Sequence, residues 1–284
     1  MKTNWFPGHM KKTKNSIRQN VNLVDIVYIL IDARIPYSSN NPAIKQLIKN
    51  KPQLIILNKS DLSSEKGNLE WIKYFQENKI PAVLVNAISN KGIKDIINYS
   101  YKLTKDKRDA LKKKGVKAQP MRAMIIGIPN VGKSALINSL SGRKGARTGN
   151  KPGITKGNQW IRIRKDLELL DTPGVLWSEI KDENIGLNLA FTGAIKDELL
   201  EMDDLAFHFI DMVKGIYPEN LEKRYAIEVE RNSTHDIILE IAKKRGCIQR
   251  GGVVDYMKAG NLIIDDFRKG KLGRMTLEFP SRRS

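Results

Sequence analysis

MRAMIIGIPNVGKSALINSL, residues 121–140, decides the architecture of this chain. An apolar run ends at Gly127, a short loop closes on Gly132-Lys133-Ser134, and a helical pattern opens at once. This strand–loop–helix context at G-x-x-x-x-G-K-S spacing is that of a phosphate loop. Its glycines let backbone N–H groups wrap a β-phosphate, Lys133 neutralises β- and γ-oxygens, and Ser134 offers a hydroxyl to Mg²⁺. The residues expected around the phosphates are Asn130, Val131, Gly132, Lys133, Ser134 and Ala135.

Outward from this motif, short β-branched runs alternate with amphipathic segments, the pattern of an α/β fold with a largely parallel sheet. Strands are expected at 24–31, 53–57, 82–85, 122–127, 159–164 and 167–170, with helices at 43–50, 65–77, 93–102 and 133–140. Only Lys165 and Asp166 separate the last two strands, so they form a hairpin and one sheet edge is antiparallel. KDKRDALKKKGVKAQ, 105–119, reads as a helix end plus a charged linker. From about residue 184 helical periodicity takes over, at 184–195, 205–213, 236–244 and 253–267. The expected division is residues 1–180 and a smaller, all-helical unit at 181–284.

Downstream of the phosphate loop, Asp171-Thr172-Pro173-Gly174 follows the strand at 167–170. Alone it could be an ordinary turn, but after a phosphate loop Asp171 is placed to hold the water shell of Mg²⁺ and Gly174 to approach a γ-phosphate. Between the motifs, RKGARTGNKPGITKGN is rich in Gly and Lys and poor in apolar residues, as a switch loop is. Thr155 is the expected second Mg²⁺ ligand; Thr148 lies further from the next strand.

A second constellation stands upstream. QLIIL, 53–57, runs into Asn58-Lys59-Ser60-Asp61. Asp61 can accept hydrogen bonds from guanine N1–H and from its 2-amino group, a pair adenine cannot offer. Asn58 would tie this loop to the phosphate loop, and the Lys59 stem would cover one face of the ring. The next strand ends in Asn86-Ala87, whose backbone N–H groups are candidates for guanine O6. A solvated loop is the plain alternative for NKSD, and the second strand-end element weighs against it.

Together these residues resemble the TRAFAC class of GTPases, in a permuted order, because NKSD and Asn86-Ala87 precede the phosphate loop. Each motif still follows its own strand, so the site can be intact in space. Within the permuted GTPases, WFPGHM at 5–10, Asp32-Ala-Arg-Ile-Pro36 and GIPNVGKS resemble the bacterial ribosome biogenesis GTPase A family, also called YlqF or RbgA, over the whole chain. The resemblance implies a three-layer P-loop GTPase domain followed by a smaller helical domain, GTP/GDP and Mg²⁺ as ligands, and assembly of the large ribosomal subunit as the function.

Permutation sends the segment after DTPG straight into the C-terminal helices, so nucleotide state should reposition them. Val175 stands where Ras-like switches place a water-orienting Gln, and it can neither donate nor accept, so intrinsic turnover should be slow. The resemblance implies two substitutes. Asn130 would help to hold a K⁺ ion where an arginine finger puts its charge, or else make a loop-stabilising hydrogen bond. His9 would orient or deprotonate water, or else WFPGHM docks aromatic surface on the domain or on RNA.

The 50 Lys and Arg against 31 Asp and Glu give a formal charge of +19. Such a field attracts polyanions, through contacts that are sequence-independent and weaken steeply with salt. The basic residues gather at 105–117, 143–165, 243–250 and 268–283. No RNP, zinc-finger or KH signature is present, so specificity would come from RNA shape and from ribosomal proteins. The longest early apolar stretch, 26–31, is far too short to span a bilayer, and no apolar signal core opens the chain. Cys247 is the single cysteine. A cytoplasmic protein without a membrane or obligate protein partner is the expectation, its partner being a large-subunit precursor. Two other functions compete with assembly: an RNA- or DNA-binding protein with a static nucleotide, and a GTPase acting on tRNA or a membrane.

Overall fold

A computed structural model of the chain describes residues 9–48, 50–116, 119–142, 159–172, 174, 176, 180 and 182–280. Six strands, β1 (Ile26–Asp32), β2 (Gln53–Asn58), β3 (Ala82–Leu84), β4 (Met121–Gly127), β5 (Gln159–Arg164) and β6 (Leu167–Asp171), form one sheet of order β3-β2-β1-β4-β6-β5. All neighbours are parallel except β5 and β6, which pair antiparallel across the Lys165-Asp166 turn. All seven residues of β1 are buried, which is why it reads as a continuous apolar run instead of alternating.

The helices are α1 (His9–Asn20), α2 (Pro42–Ile48), α3 (Glu65–Glu77), α4 (Ile93–Leu103), α5 (Lys105–Lys113), α6 (Lys133–Ser141), α7 (Glu183–Phe191), α8 (Met202–Lys214), α9 (Pro218–Tyr225), α10 (Thr234–Lys244) and α11 (Tyr256–Arg268). One apolar cluster joins Ile17 of α1, Ile44 and Ile48 of α2 and Trp71 and Phe75 of α3 to one sheet face. A larger one covers the opposite face with residues of α4 and α6 and runs on without a break through α7 to α11. On that face the Tyr28 hydroxyl and Ser100 Oγ, both buried, lie 2.8 Å apart and pin α4 to β1.

Three features differ from the sequence expectations. Residues 105–113, expected to end a helix and begin a linker, form α5, a separate helix none of whose residues is buried. The helices α1 and α9 were not expected: α9 buries only Leu221 and Tyr225, one turn apart, too few apolar positions to show a period. Several residues of the basic tail are paired within the chain. Arg268 pairs with Asp197 at 2.8 Å, Lys271 with Asp266 at 3.0 Å, and Arg274 with Glu65 at 2.7 Å.

The last described segment returns to the sheet-bearing part of the chain. Met275 N donates to Leu62 O (2.9 Å) and Leu277 N to Arg34 O (2.8 Å). The buried Glu278 carboxylate accepts from Tyr37 N (2.8 Å), Ser38 N (2.9 Å) and Asn188 Nδ2 (3.0 Å). These bonds join the loop after β1, α7 and the C-terminal segment at one point.

Candidate functional site

Both candidate loops leave the same edge of the sheet, at the carboxyl ends of the parallel strands, where ligands of open α/β folds bind. Gly132 sits at φ +96° as the residue before α6, and a Cβ there would stand 2.4 Å from Asn58 Nδ2. Gly127 and Gly174 are equally confined, a Cβ meeting Leu30 O at 2.6 Å and Pro129 N at 2.9 Å. Glycine therefore keeps the phosphate loop's backbone open to a ligand while its neighbours press against it. Lys133 is buried and donates to Gly127 O and Ile128 O, both at 3.0 Å. Burial pushes its ammonium down to about 8, and the nearby Asp171 carboxylate partly opposes that fall. A triphosphate would supply the negative charge this lysine faces only in part.

The base-site loop is tied to the phosphate loop by two side chains. Asn58 Nδ2 donates to Val131 O (2.9 Å), while Asn58 Oδ1 accepts from Ala87 N (3.2 Å). Lys59, at φ 59°, sends its Nζ to Asn130 O (2.7 Å) and to Asp32 Oδ2 (3.0 Å). Asp61 is exposed at the loop's tip. The Asn86 N–H donates to Lys91 O at 3.1 Å, so a base oxygen arriving here would share the Ala87 donor with Asn58.

Beneath Lys59 lies a buried ionic cluster whose importance the sequence did not reveal. Arg34, 1% exposed, donates through Nε and Nη2 to the two carboxylate oxygens of Asp32, at 3.0 and 2.8 Å. Its guanidinium lies over the Phe267 ring at 4.8 Å and reaches Phe267 O at 3.4 Å. Burial alone would raise the Asp32 carboxyl, but the charges of Arg34 and Lys59 hold it well below the usual carboxylate range. The motif Asp32-Ala-Arg34 after β1 was visible; its junction with α11 was not.

On the other flank, Asn130 Nδ2 donates to Gly193 O at 2.6 Å, just past the end of α7. Ser134 lies in the first turn of α6, and Asp171 is buried at the end of β6. A hydroxyl and a carboxylate are hard oxygen donors of the kind Mg²⁺ takes. Thr155 and Thr148, and the side chain of His9, lie outside the described residues; the backbone of His9 opens α1.

A phosphate loop on the central strand β4, joined through Asn58 to a guanine-type loop on β2, defines a P-loop GTPase with its motif order permuted. Residues 122–244 match the family model described as 50S ribosome-binding GTPase. The chain is 45% identical to ribosome biogenesis GTPase A of Bacillus licheniformis over 276 residues, covering 97% of this chain and 98% of that one. It is 32% identical to mitochondrial ribosome-associated GTPase 1 of Ictalurus punctatus, covering 96% and 92%. The crystal structure of GNP-bound YlqF from T. maritima superposes with a TM-score of 0.66 at 27% identity, over 95% of this chain and 98% of that one. The chain belongs to the ribosome biogenesis GTPase A family and is a GTP hydrolase.

Proposed function

We propose that this GTPase is an assembly switch: with GTP bound it docks on rRNA of a large-subunit precursor, and it leaves after hydrolysis that the particle stimulates. The observation that carries this reading is the double attachment of one loop. Through Val131 O it is held by the base-site Asn58, and through the Asn130 amide it holds Gly193 O, at the end of the first C-terminal helix. The loop that would hold the phosphates is thus one hydrogen bond from the helical region at 181–284. A static nucleotide has no need of that link.

In this reading Asn58, Lys59, Asp61, Asn86 and Ala87 hold guanine. Asn130 to Ala135 and Gly174 hold the phosphates, and Ser134, Thr155 and Asp171 hold Mg²⁺. The metal, when bound, neutralises charge on the β- and γ-oxygens. Water attacks the γ-phosphorus and the bond to the β–γ bridging oxygen breaks, giving GDP and inorganic phosphate. Lys133 stabilises the charge developing on the bridging and γ-oxygens. His9 orients the water and takes up its proton, since Val175 can do neither. The Asn130 side-chain carbonyl is the atom offered to K⁺. RNA is the partner that a formal charge of +19 favours, in the cytoplasm. Among the described residues no helix is long and apolar enough to cross a membrane.

The test is GTP turnover by the purified chain with Mg²⁺, in K⁺ against Na⁺ buffer, with and without isolated large subunits. Slow turnover that rises with subunits and with K⁺ is expected. Turnover indifferent to subunits would sink the assembly reading, and indifference to K⁺ would remove the role given to Asn130.

A further inference from the structure

The edge strand carries an aromatic group that the GTP site does not use. Trp160 on β5 is 40% exposed, and the Arg122 guanidinium of β4 lies over its ring at 5.1 Å. Arg122 is held there by Glu168 of the intervening strand, Nε to Oε2 at 3.2 Å. Arg162, Arg164 and Lys165 follow along the hairpin, all exposed. The surface continues past the turn: Arg164 pairs with Asp166 at 3.5 Å, and Asp166 accepts from the Tyr101 hydroxyl. The Arg108 guanidinium of α5 covers the Tyr101 ring at 4.6 Å.

Helix α5 adjoins this surface around the end of the sheet, since Trp160 and Arg122 stand on the face that carries α1 to α3 while α4 packs on the other. The Asp25 carboxylate takes both the Arg122 N–H (2.8 Å) and Lys107 Nζ (2.5 Å), which fixes the base of α5 against the start of β4. A helix that buries none of its residues, KDKRDALKK, is poorly explained by packing within this chain. It carries five cations and two anions. Two arginine–aromatic stacks, flanked by cations from two elements, are the parts with which single-stranded nucleic acid is held. Rings take bases, and cations follow the backbone.

We propose that this surface, from Trp160 across the β5–β6 turn to α5, is an RNA-contact face that stacks an unpaired base on Trp160 and holds the adjoining phosphates with Arg162, Arg164 and the cations of α5. It deepens the assembly reading and rests on its RNA partner. The competing explanation is protective: Arg122 over Trp160 merely shields an exposed sheet edge from pairing with another chain.

The full chain and its Trp160→Ala, Trp160→Phe and Arg162→Ala variants are titrated with fluorescein-labelled oligo(A) RNA at low salt, and in parallel sedimented with isolated large subunits. Trp160→Ala should weaken oligo(A) binding about tenfold, as loss of one stacked base does. Trp160→Phe should retain most of the binding. Arg162→Ala should lower the salt dependence, by about one phosphate contact. GTP affinity and the thermal midpoint should stay at the wild-type values. The proposal is overturned if wild type ignores oligo(A), or if Trp160→Ala binds it as wild type does. A loss that tracks a lowered thermal midpoint would overturn it as well, in favour of the protective role. Wild type that binds oligo(A) through Trp160 but never sediments with subunits would sink the assembly reading and leave this face standing.

Discussion

Asp61 projects from a loop whose other members are all committed: Asn58 to Val131 and Ala87, Lys59 to Asn130 and Asp32, and Ser60 N to Val85 O at 3.1 Å. The loop's shape is therefore held by the chain's own bonds, and in the proposed base site Asp61 is the side chain that would choose the base. Asp61→Asn should exchange guanine for xanthine preference, because the amide donates where the carboxylate accepted. Competition of GTP and XTP for the variant measures it, and undiminished GTP binding would remove the base-site assignment. The stretch from Asn58 to Asp61 was legible in the sequence because strand, turn and carboxylate are contiguous. Asp32 and Arg34 were legible only as letters. What makes them matter is a bond network from β1 to Lys59 and to Phe267 of α11, residues more than two hundred positions apart. No local period carries such a junction.

At the level of elements, the strands β1, β2 and β4 were readable because burial on both faces leaves apolar runs, and the phosphate-loop helix because glycines and Lys-Ser mark its start. Elements that bury one or two side chains were not. Of the described residues of α1 only Ile17 is buried, and α5 buries nothing, so neither writes an apolar stripe. The helical region is different: α8 buries Met202, Leu205, Ala206, Phe209, Ile210 and Val213, a full stripe at helical spacing. Phe209 meets Phe191 of α7 at 5.3 Å and Phe267 of α11 at 4.8 Å. The start of α8 also touches α11 backbone to backbone, for a Cβ on Gly260 would stand 2.3 Å from Met202 O. No side-chain rotation relieves a contact with a carbonyl. Gly260→Ala should therefore cost about 1–3 kcal/mol, the usual penalty of overpacking. Urea unfolding of the variant would show a lowered midpoint, with GTP affinity unchanged because α8 and α11 lie outside the phosphate and base loops. An unshifted midpoint would mean the two helices can part without loss.

Across the whole molecule, two of the connections between the candidate GTP site and the C-terminal helices can be followed among the described residues. The first is ionic and buried, from Lys59 through Asp32 and Arg34 to Phe267. The second runs from Asn130 Nδ2 to Gly193 O, and beside Gly193 the carbonyls of Ala190 and Phe191 are held by Arg268 of α11, at 2.8 and 3.0 Å. The ionic route meets the phosphate loop at the Asn130 carbonyl, which takes Lys59 Nζ at 2.7 Å. The second begins at the Asn130 side chain, and on the proposed assignment of the phosphate site it is the route that responds when GTP becomes GDP. Gly193 tests this without altering the loop: at φ +73° an added Cβ is strained and would lie 3.3 Å from the Arg268 guanidinium. Gly193→Ala should destabilise the chain by about 1–2 kcal/mol. It should leave GTP and GDP affinities close to wild type, and reduce the difference in amide exchange of α7 and α11 between the GDP- and GTP-analogue-bound forms. Hydrogen exchange of both forms, for wild type and variant, is the measurement. If the nucleotide-dependent difference survives Gly193→Ala intact, the signal travels by another path, and the segment following Gly174 becomes the carrier.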